Sequence, residues 1–342
     1  MSAAPHPLLL QPTLFEKVWG GRRLELFGKP LPASANIGES WELADLDATS
    51  ASGAGGGSVS SVIETGGMRG RTIRDVVAAW GEDLLGAVDA PEGRFPLLIK
   101  YLDAREDLSI QVHPTAGYAT RHPGAHVKTE CWYVVEADPH ARILKGLAPG
   151  VVASDVIEAA QSGGDVPVLL HAAPSRVGDL HTLPTGTIHA LGAGTLVAEV
   201  QTPSDTTFRV YDWAREFGRT DRELHLDEAA ECILEGPPPA STRLPRHDEA
   251  GRLCALDAFT IDEARPAPSD EIPLAFDGRC QVLMLVSGMG EVVFGDGEPL
   301  VIHAGHTVVV PAVCADEASF ANDAGTPPGR TRLLRVGVGA AD

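Results

Sequence analysis

The stretch SIQVH at residues 109–113 sets the type of fold, because it places polar side chains at alternate positions of an apolar run. In an extended strand, successive side chains point to opposite faces of the sheet. Gln111 and His113 therefore share one face, while Ile110 and Val112 share the other. We expect a β-strand whose apolar face packs in a core and whose polar face can coordinate or hydrogen-bond.

Similar short runs, rich in β-branched residues and bounded by glycine, proline or aspartate, recur along the whole chain. Repeated short strands with turn signals are typical of antiparallel sandwiches and barrels. We therefore predict a mainly β fold. Clear examples are FPLLIKYLD (95–103), ECWYVVEA (130–137), GTLVAEVQT (194–202), CQVLMLVSG (280–288) and HTVVVPA (306–312).

Few stretches depart from this β pattern. TIRDVVAAWGEDLLGAV (72–88) and LDEAAECILEG (226–236) have apolar residues at helical spacing and predict two short helices. The tract ATSASGAGGGSVSS (48–61) predicts a flexible surface loop. We expect the helices to act as packing elements beside the sheets.

A proline-rich and charged stretch divides the chain. EGPPPASTRLPRHDEAG (235–251) indicates a linker, and residues 252–340 hold enough strand patterns for a second, small β domain. In that domain His303 and His306 are three residues apart, which in a strand places them on opposite faces. Because no carboxylate accompanies them, we expect this domain to be non-catalytic.

Composition and charge disfavour several classes of partner and site. The 342 residues carry a formal net charge of −20, which disfavours binding to nucleic acid and to anionic lipid. No apolar run approaches the roughly 20 residues that cross a bilayer, and we expect a cytoplasmic protein. The five cysteines are scattered without a CxxC pair, which indicates reduced thiols and argues against a thiolate metal site.

A second strand pattern, KTECWYVV at residues 128–135, carries charge on one face. Lys128 and Glu130 share that face, and Cys131 points the other way. A carboxylate among apolar residues on a core strand is costly to bury unless a cation pairs with it. Glu130 therefore predicts a cation partner.

A third pattern, LPTGTIHALGAG at residues 183–194, brings His189 into a strand directly after a Pro/Gly turn. His113 or His189 alone is more often a core histidine with satisfied hydrogen bonds. Two imidazoles, one carboxylate and one amide oxygen together suit a divalent metal of the zinc type, with a position left open for water or substrate. The three patterns together favour a metal site over separate core residues.

Further charges interrupt strand-like runs. EVQTPSDTTFRVYDW (199–213) contains Arg209, which suits bidentate capture of a phosphate or an oxyanion. The alternative for Arg209 is a salt bridge with Asp205 or Asp212. Lys100, inside LLIKYLD, either points into a pocket or extends outward to solvent.

Several blocks in the same order resemble one family, type I mannose-6-phosphate isomerase, a phosphomannose isomerase of the cupin superfamily in its short bacterial form. The resemblance spans most of residues 7–215, and the C-terminal part is similar only loosely to a degenerate second cupin. The blocks are PLLLQPTLFEKVWGGRRL (7–24), IGESWELAD (37–45), FPLLIKYLDAREDLSIQVHP (95–114), KTECWYVVE (128–136) and GDLHTLPTGTIHALGAGTLVAEVQTPSDTTFRVYDW (178–213).

The resemblance implies two cupin-type β-barrel (jelly-roll) domains. A catalytic domain would occupy residues 1–236 with a helical insertion around 64–90, followed by a linker at 237–251 and a degenerate cupin domain at 252–342. The implied activity is an aldose–ketose isomerase that interconverts mannose 6-phosphate and fructose 6-phosphate through a cis-enediol. We expect a monomer or weak homodimer whose partner is a phosphorylated hexose.

The resemblance also implies roles for single residues. The family's zinc ligands match Gln111, His113, Glu130 and His189, with one Zn²⁺ per chain and other divalent metals left open. Arg209 matches the family's active-site arginine, and Ser109, Lys100 and Lys128 match positions that line the sugar-phosphate pocket. Our own hypothesis for the mechanism adds Glu199, so that the predicted catalytic set is Arg209, Glu199 and Lys128. Glu199 is placed first as the proton-transfer base, ahead of Lys128, a zinc-bound water and His113.

Two other functional classes stay open. A non-catalytic sugar-binding or regulatory cupin would keep the metal ligands, but it would not need Arg209 together with Lys100 and Lys128. A cupin oxygenase would need a redox-active iron, and the mixture of Gln111 and Glu130 does not discriminate against it. Metal content, measured beside an isomerase assay, separates the three classes.

Overall fold

The chain is mainly β, which confirms that part of the predicted fold class. A computed structural model describes residues 4–49, 55–216, 218, 222–245, 249–274 and 278–340. Its strands are β1 Leu8–Gln11, β2 Thr13–Gly21, β3 Ile37–Leu43, β4 Asp45–Leu46, β5 Val59–Ser60, β6 Val62–Ile63, β7 Leu98–Ala104, β8 Ile110–Val112, β9 Glu130–Ala137, β10 Arg142–Leu147, β11 Leu170–Pro174, β12 Asp179–Leu183, β13 His189–Leu191, β14 Thr195–Gln201, β15 Phe208–Tyr211, β16 Ser241–Arg243, β17 Ala250–Ala255, β18 Phe259–Ala264, β19 Glu271–Pro273, β20 Gln281–Ser287, β21 Met289–Phe294, β22 Leu300–His303, β23 Thr307–Val310, β24 Ala318–Asn322 and β25 Arg332–Val338.

Short helices lie between the strands. The stretch predicted at 72–88 forms two helices separated by Gly81. Thr72 is the N-cap of the first, and its hydroxyl accepts from the Asp75 amide. Among the helices of the described residues, none has the length and apolar character that a membrane crossing needs. The α-helices are α1 Ile73–Trp80, α2 Glu82–Leu85, α3 Ala116–Arg121, α4 Ala153–Ser162, α5 Trp213–Glu216 and α6 Leu226–Cys232, and the 3-10 helices are Arg23–Phe27, Gly66–Met68, Pro91–Gly93, Val166–Leu169 and Ala312–Cys314.

Two antiparallel sheets form what we call the first sandwich. One sheet has five strands in the order β11-β10-β13-β8-β15, and the other has seven in the order β16-β12-β9-β14-β7-β2-β3. Their inner faces meet in one apolar cluster, in which Ile143 and Leu191 of the five-stranded sheet pack with Trp132 and Val197 of the seven-stranded sheet. The space between these two sheets holds the candidate site.

A second sandwich is built largely from the C-terminal part of the chain. Its sheets have the orders β17-β18-β25-β20-β23-β1-β6 and β19-β24-β21-β22, and they share an apolar cluster. The first strand of the chain belongs here, because Leu8 pairs with Val309.

The stretch predicted as a linker contributes β16 to the first sandwich, where Ser241 pairs with His181. The division of the chain at residues 237–251 stays a prediction, and within the described residues neither sandwich closes into a barrel.

The outer face of the seven-stranded sheet packs against the second sandwich. Cys131 of β9 lies on this face, 3.9 Å from the sulfur of Cys254 in β17. The Tyr133 hydroxyl donates to Glu263 at 2.9 Å across the same interface. All five cysteines are free. Cys131 and Glu130 therefore point to opposite faces of β9, as the strand alternation predicted.

The two histidines of the second sandwich lie differently from the prediction. The rings of His303 and His306 are 3.6 Å apart, so the expectation that they point to opposite faces is wrong. The reason is that β22 ends at His303 and the chain turns at Gly305, whose φ is +89°. Strand alternation does not extend through a turn.

Candidate active site

A row of polar side chains crosses the inner face of the five-stranded sheet. Antiparallel pairing places Lys145 opposite His189, His189 opposite Gln111, and Gln111 opposite Arg209. Residues directly opposite one another in antiparallel strands project from the same face. His113, which follows β8, shares that face with Gln111, so strands that are distant in sequence deliver their polar groups to one wall.

The turn before β13 fixes the position of His189. The Thr187 amide donates to the Pro184 carbonyl at 3.0 Å, and Gly186 between them has a φ of +80°. A left-handed residue at this place of a turn favours glycine, and a Cβ there would lie 2.6 Å from Leu234. The Thr187 carbonyl in turn accepts from His189 Nδ1 at 2.8 Å, which orients the imidazole.

The seven-stranded sheet presents a matching row. Pairing across four strands places Trp41, Lys100, Glu199 and Trp132 opposite one another in that order. Two residues along the strands, and so on the same face, Glu130 is paired with Gln201. The carboxylate of Glu130 and the imidazoles of the opposite sheet therefore project into the same space.

His113, Glu130 and His189 come together in a buried cluster. One nitrogen or oxygen atom from each lies within 4.8 Å of the others. The Glu130 oxygens lie 3.0 Å from His189 Nε2 and 3.4 Å from His113 Nε2. Lys128 Nζ lies 2.8 Å from Glu130 Oε2 as an ion pair. Three of the four residues predicted to be metal ligands are thus within reach of a single ion.

The free atoms of this cluster fit a divalent metal. Each histidine donates from Nδ1 to a backbone carbonyl, His113 to Thr206 at 3.0 Å and His189 to Thr187, which leaves the Nε2 lone pairs available. Apart from the Lys128 ion pair at Glu130 Oε2, His113 Nε2 and both Glu130 oxygens are buried without a hydrogen-bond partner among the described residues. Buried atoms of this kind are costly unless something binds them, and a cation satisfies all three.

Protonation states support the same interpretation. Burial, and then the charge of Lys128, lower the pKa of His113 to about 3, so its imidazole is neutral at neutral pH. Burial raises the pKa of Glu130, but the charge of Lys128 and contacts with His113 outweigh it and bring the pKa well below its ordinary value. A carboxylate and a neutral imidazole are the forms in which Glu130 and His113 would coordinate a metal.

Gln111 lies at the edge of the cluster. Its amide nitrogen is 3.4 Å from His189 Nε2. Rotation of the amide about its last bond exchanges nitrogen and oxygen, so the oxygen can occupy the same position. The structure therefore places the fourth predicted ligand beside the other three, and its coordination stays a prediction.

Lys100 is held between two carboxylates on the inner face. Its Nζ lies 3.2 Å from Glu199 and 3.9 Å from Glu39. Burial lowers the pKa of Lys100, but these two carboxylates outweigh it and raise the pKa above its ordinary value. Burial also raises the pKa of Glu199, in spite of the charge of Lys100. Lys100 therefore points inward, and the alternative of an outward lysine is excluded.

Arg209 is buried beside the cleft and has two kinds of partner. Its Nε donates to Ser109 at 3.3 Å and its Nη1 donates to the Glu223 carbonyl at 3.0 Å. Asp212 lies 3.8 Å away, but it accepts two shorter bonds from Arg222, at 2.9 and 3.0 Å. Burial and the charge of Arg222 lower the pKa of Arg209 to about 10. The predicted alternative, a salt bridge with Asp212, is thus present as the longer contact.

One cleft between the sheets brings most of these residues together. Of the nine predicted site residues, Lys100, Ser109, Gln111, Lys128, Glu199 and Arg209 line it, and the remaining three form the buried cluster. Charged residues that the sequence did not single out as site residues also line the cleft: Lys17, Glu39, Asp205 and Arg222. Glu39 and Trp41 alternate in IGESWELAD, a signal of the same kind as Gln111 and His113.

Known proteins are similar to this chain in sequence and in fold. A model of the phosphomannose isomerase type I catalytic domain matches residues 8–144. The mannose-6-phosphate isomerase of Streptococcus mutans is 38% identical over 240 residues, which are 69% of this chain and 71% of that protein. The chain belongs to the type I phosphomannose isomerase family. The family model includes Gln111, His113 and Glu130, whereas His189 and Arg209 lie beyond its match.

Two further proteins named as mannose-6-phosphate isomerases are similar to this chain. The probable mannose-6-phosphate isomerase GmuF of Bacillus subtilis is 39% identical over 233 residues, 67% of this chain and 68% of that protein. The crystal structure of the mannose 6-phosphate isomerase from Bacillus subtilis has a TM-score of 0.78 at 28% identity, and the match covers 96% of this chain and 99% of that chain. The structural likeness thus includes the second sandwich, which the sequence resembled only loosely.

Proposed function

We propose that this chain is a metal-dependent aldose–ketose isomerase that interconverts mannose 6-phosphate and fructose 6-phosphate through a cis-enediol. The observation that carries the proposal is the buried cluster of His113, Glu130 and His189 beside a cleft lined by Lys100, Lys128 and Arg209. The names of the relatives support the choice of substrate. A sugar phosphate is an anion with adjacent hydroxyl and carbonyl groups, and the cleft offers cations beside a set of metal ligands.

The metal in this proposal is one Zn²⁺ per chain, with other divalent ions open. Its ligands would be Gln111, His113, Glu130 and His189. When bound, a divalent ion supplies Lewis acidity toward the oxygens of the substrate. The buried free atoms of the cluster support an ion at this place, and the donor set of two imidazoles with oxygen ligands suits zinc.

Glu199 is proposed as the base that moves the proton. In the aldose-to-ketose direction its carboxylate takes the proton from C2, the electron pair of the broken C–H bond forms the C1–C2 double bond, and the C1=O π pair moves to O1, which receives the proton that O2 gives up. As the C2=O bond forms, the double-bond pair returns to C1, which takes a proton from the protonated Glu199 after that proton has partly exchanged with solvent. A raised pKa makes Glu199 a stronger base than an exposed carboxylate, and the Lys100 ammonium at 3.2 Å favours its ionised form.

The cations are proposed to stabilise negative charge. Arg209 is preorganised by Ser109 and the Glu223 carbonyl, so little side-chain freedom is lost when its remaining N–H groups contact an oxyanion. Lys100 and Lys128 add charge from the opposite sheet, where burial strengthens their electrostatic interaction with the substrate. Ser109 and Lys100 are assigned to substrate binding, and Arg209 and Lys128 to catalysis.

The decisive experiment combines an isomerase assay with exchange of the C2 proton. Wild-type protein should convert mannose 6-phosphate to fructose 6-phosphate, lose activity on metal depletion, and regain it with zinc, manganese or cobalt. Glu199→Gln should retain metal and substrate binding but lose C2 exchange with solvent. Glu136→Gln, which changes an exposed carboxylate on β9, is the matched control and should exchange normally. Activity that survives complete metal removal would contradict the proposal.

Several broader expectations belong to the same proposal. The two sandwiches would be cupin-type jelly rolls, the first catalytic (1–236) and the second degenerate (252–342), with the division at 237–251. We keep a cytoplasmic location, a monomer or weak homodimer, and the absence of nucleic-acid and membrane partners as predictions. Sedimentation of the metal-loaded protein over a range of concentrations tests the oligomeric state.

A further inference from the structure

Two tryptophans on the inner face of the seven-stranded sheet each donate an indole N–H to a carboxylate. Trp132 Nε1 donates to Glu199 Oε2 at 2.7 Å, and Trp41 Nε1 donates to Glu39 Oε2 at 2.7 Å. Lys100 lies between the two carboxylates. The two pairs have the same chemistry, but only Glu199 stands next to the metal cluster through its tryptophan.

The two oxygens of Glu199 have different surroundings. Oε2 accepts the Trp132 hydrogen bond, whereas Oε1 is buried, faces the Lys100 ammonium at 3.2 Å, and has no hydrogen-bond partner among the described residues. The indole is therefore the one hydrogen-bond donor to this carboxylate in the described part of the chain. One oxygen anchored by the indole and the other facing the Lys100 ammonium give the carboxylate a defined direction.

Trp132 is itself fixed by the cluster. Its ring meets the imidazole of His189 edge-on, with centroids 5.2 Å apart and an angle of 83° between planes. Antiparallel pairing also places Trp132 directly opposite Glu199. The ring thus contacts a proposed metal ligand with one part and the proposed base with another, so it sets the position of one relative to the other.

We propose that Trp132 is a positioning residue for proton transfer, whose indole N–H anchors Glu199 Oε2 so that Oε1 is presented to the substrate. This inference rests on the proposed function, because it assumes that Glu199 is the base. The competing interpretation is that Trp132 only fills the core between the sheets, where it packs with Leu183 and Leu191. If Trp132 positions Glu199, loss of the indole N–H alone lowers the rate of proton transfer. If Trp132 only fills the core, a ring without the N–H serves equally well.

The test removes the N–H and keeps a ring. Trp132→Phe should bind one metal per chain and keep KM within about threefold, while kcat falls by about 10- to 100-fold, as expected for loss of a hydrogen bond to a charged group. Trp41→Phe, the same change at the other indole–carboxylate pair, should keep kcat within about threefold. Equal losses of kcat in both variants would overturn the inference, and so would loss of metal in Trp132→Phe.

A double-mutant cycle tests whether Trp132 acts through Glu199. In a Glu199→Gln background, Trp132→Phe should lower the residual kcat by less than about threefold, because the anchored carboxylate is already gone. The full loss in that background would overturn the inference. If Trp132→Phe fails to fold, benzothienylalanine at position 132 keeps the shape of the indole without the N–H and should give the same loss of kcat.

The outcome for wild-type protein separates this inference from the proposed function. Wild-type protein without isomerase activity would overturn the proposed function and this inference together. Active wild-type protein with an unchanged kcat in Trp132→Phe would overturn the inference alone. Active wild-type protein with a selective loss of kcat in Trp132→Phe supports both.

Discussion

Replacement of Lys100 by methionine tests the charge balance of the inner face. Lys100 is 4% exposed and lies 3.2 Å from Glu199 and 3.9 Å from Glu39. With an effective dielectric constant of about 20, these contacts correspond to gross attractions of roughly 5 and 4 kcal/mol. The desolvation of the lysine offsets much of this, and removal of one partner from a buried ion pair typically costs about 3–5 kcal/mol. We therefore expect Lys100→Met to lower the free energy of unfolding by about 3–5 kcal/mol.

The measurement is urea unfolding of metal-free protein, followed by the fluorescence of tryptophans such as Trp41 and Trp132 beside Lys100. Metal-free protein is required because a bound ion stabilises the folded state by mass action. Arg121→Met is the control, since Arg121 forms a shorter ion pair with Glu231, 2.7 Å, that is about half exposed. We expect Arg121→Met to lower the free energy of unfolding by less than about 1 kcal/mol. Equal effects of the two variants would refute the reasoning, because burial would then not decide the strength of these pairs.

The pH dependence gives this prediction a second readout. In wild-type protein burial raises the pKa of Glu39, but Lys17 and Lys100 outweigh it and bring the pKa to about 2, so its stabilising contribution is lost between about pH 4.5 and 2. In Lys100→Met the pKa of Glu199, already raised by burial, should rise further. A folded-state pKa above the unfolded one favours folding as the pH falls. The difference in the free energy of unfolding between wild-type protein and Lys100→Met should therefore become smaller toward low pH. A difference that becomes larger would contradict the assignment of Lys100 as the ion-pair partner of Glu39 and Glu199.

Three further changes test other parts of the site. His113→Asn removes one proposed ligand and should weaken metal binding by more than about 100-fold in a chelator competition, so stoichiometric metal in the purified variant would argue against its role. Arg209→Lys keeps the charge but loses the planar fork, and kcat/KM for mannose 6-phosphate should fall roughly 10- to 100-fold; a change below about threefold would remove Arg209 from oxyanion binding. Gly186→Ala forces a Cβ to within 2.6 Å of Leu234 at a φ of +80°, and its melting temperature should fall by several degrees, whereas an unchanged value would mean that the turn relaxes freely.

Local alternation carried much of the information about the site. The side-chain period of a strand is two, so the sequence alone placed Gln111 and His113 on one face and separated Cys131 from Glu130. It did not show which strands are neighbours, because pairing depends on contacts between distant segments. Glu39 carried the same alternation, but only its pairing partners in the structure bring it beside Lys100.

Other features had weaker signals in the sequence. Arg222 lies in a loop, where no periodicity indicates the direction of a side chain, and only the structure shows its two bonds to Asp212. Helix α4 was not predicted, because ASDVIEAAQS buries a single side chain, Val156, completely and has no strong apolar stripe. His303 and His306 were assigned to opposite faces because the end of β22 was not recognised.

The pairing of β1 with β23 ties the earliest part of the chain to one of the latest. Leu8 leaves the ribosome about 300 residues before Val309, its neighbour in the sheet. During synthesis the backbone N–H and C=O groups of β1 that pair with β23 therefore have no partner until β23 has been made. Every strand of the first sandwich has emerged before that point. Assembly of the buried cluster of His113, Glu130 and His189 can precede that final pairing, and the second sandwich is completed only when the two distant segments meet.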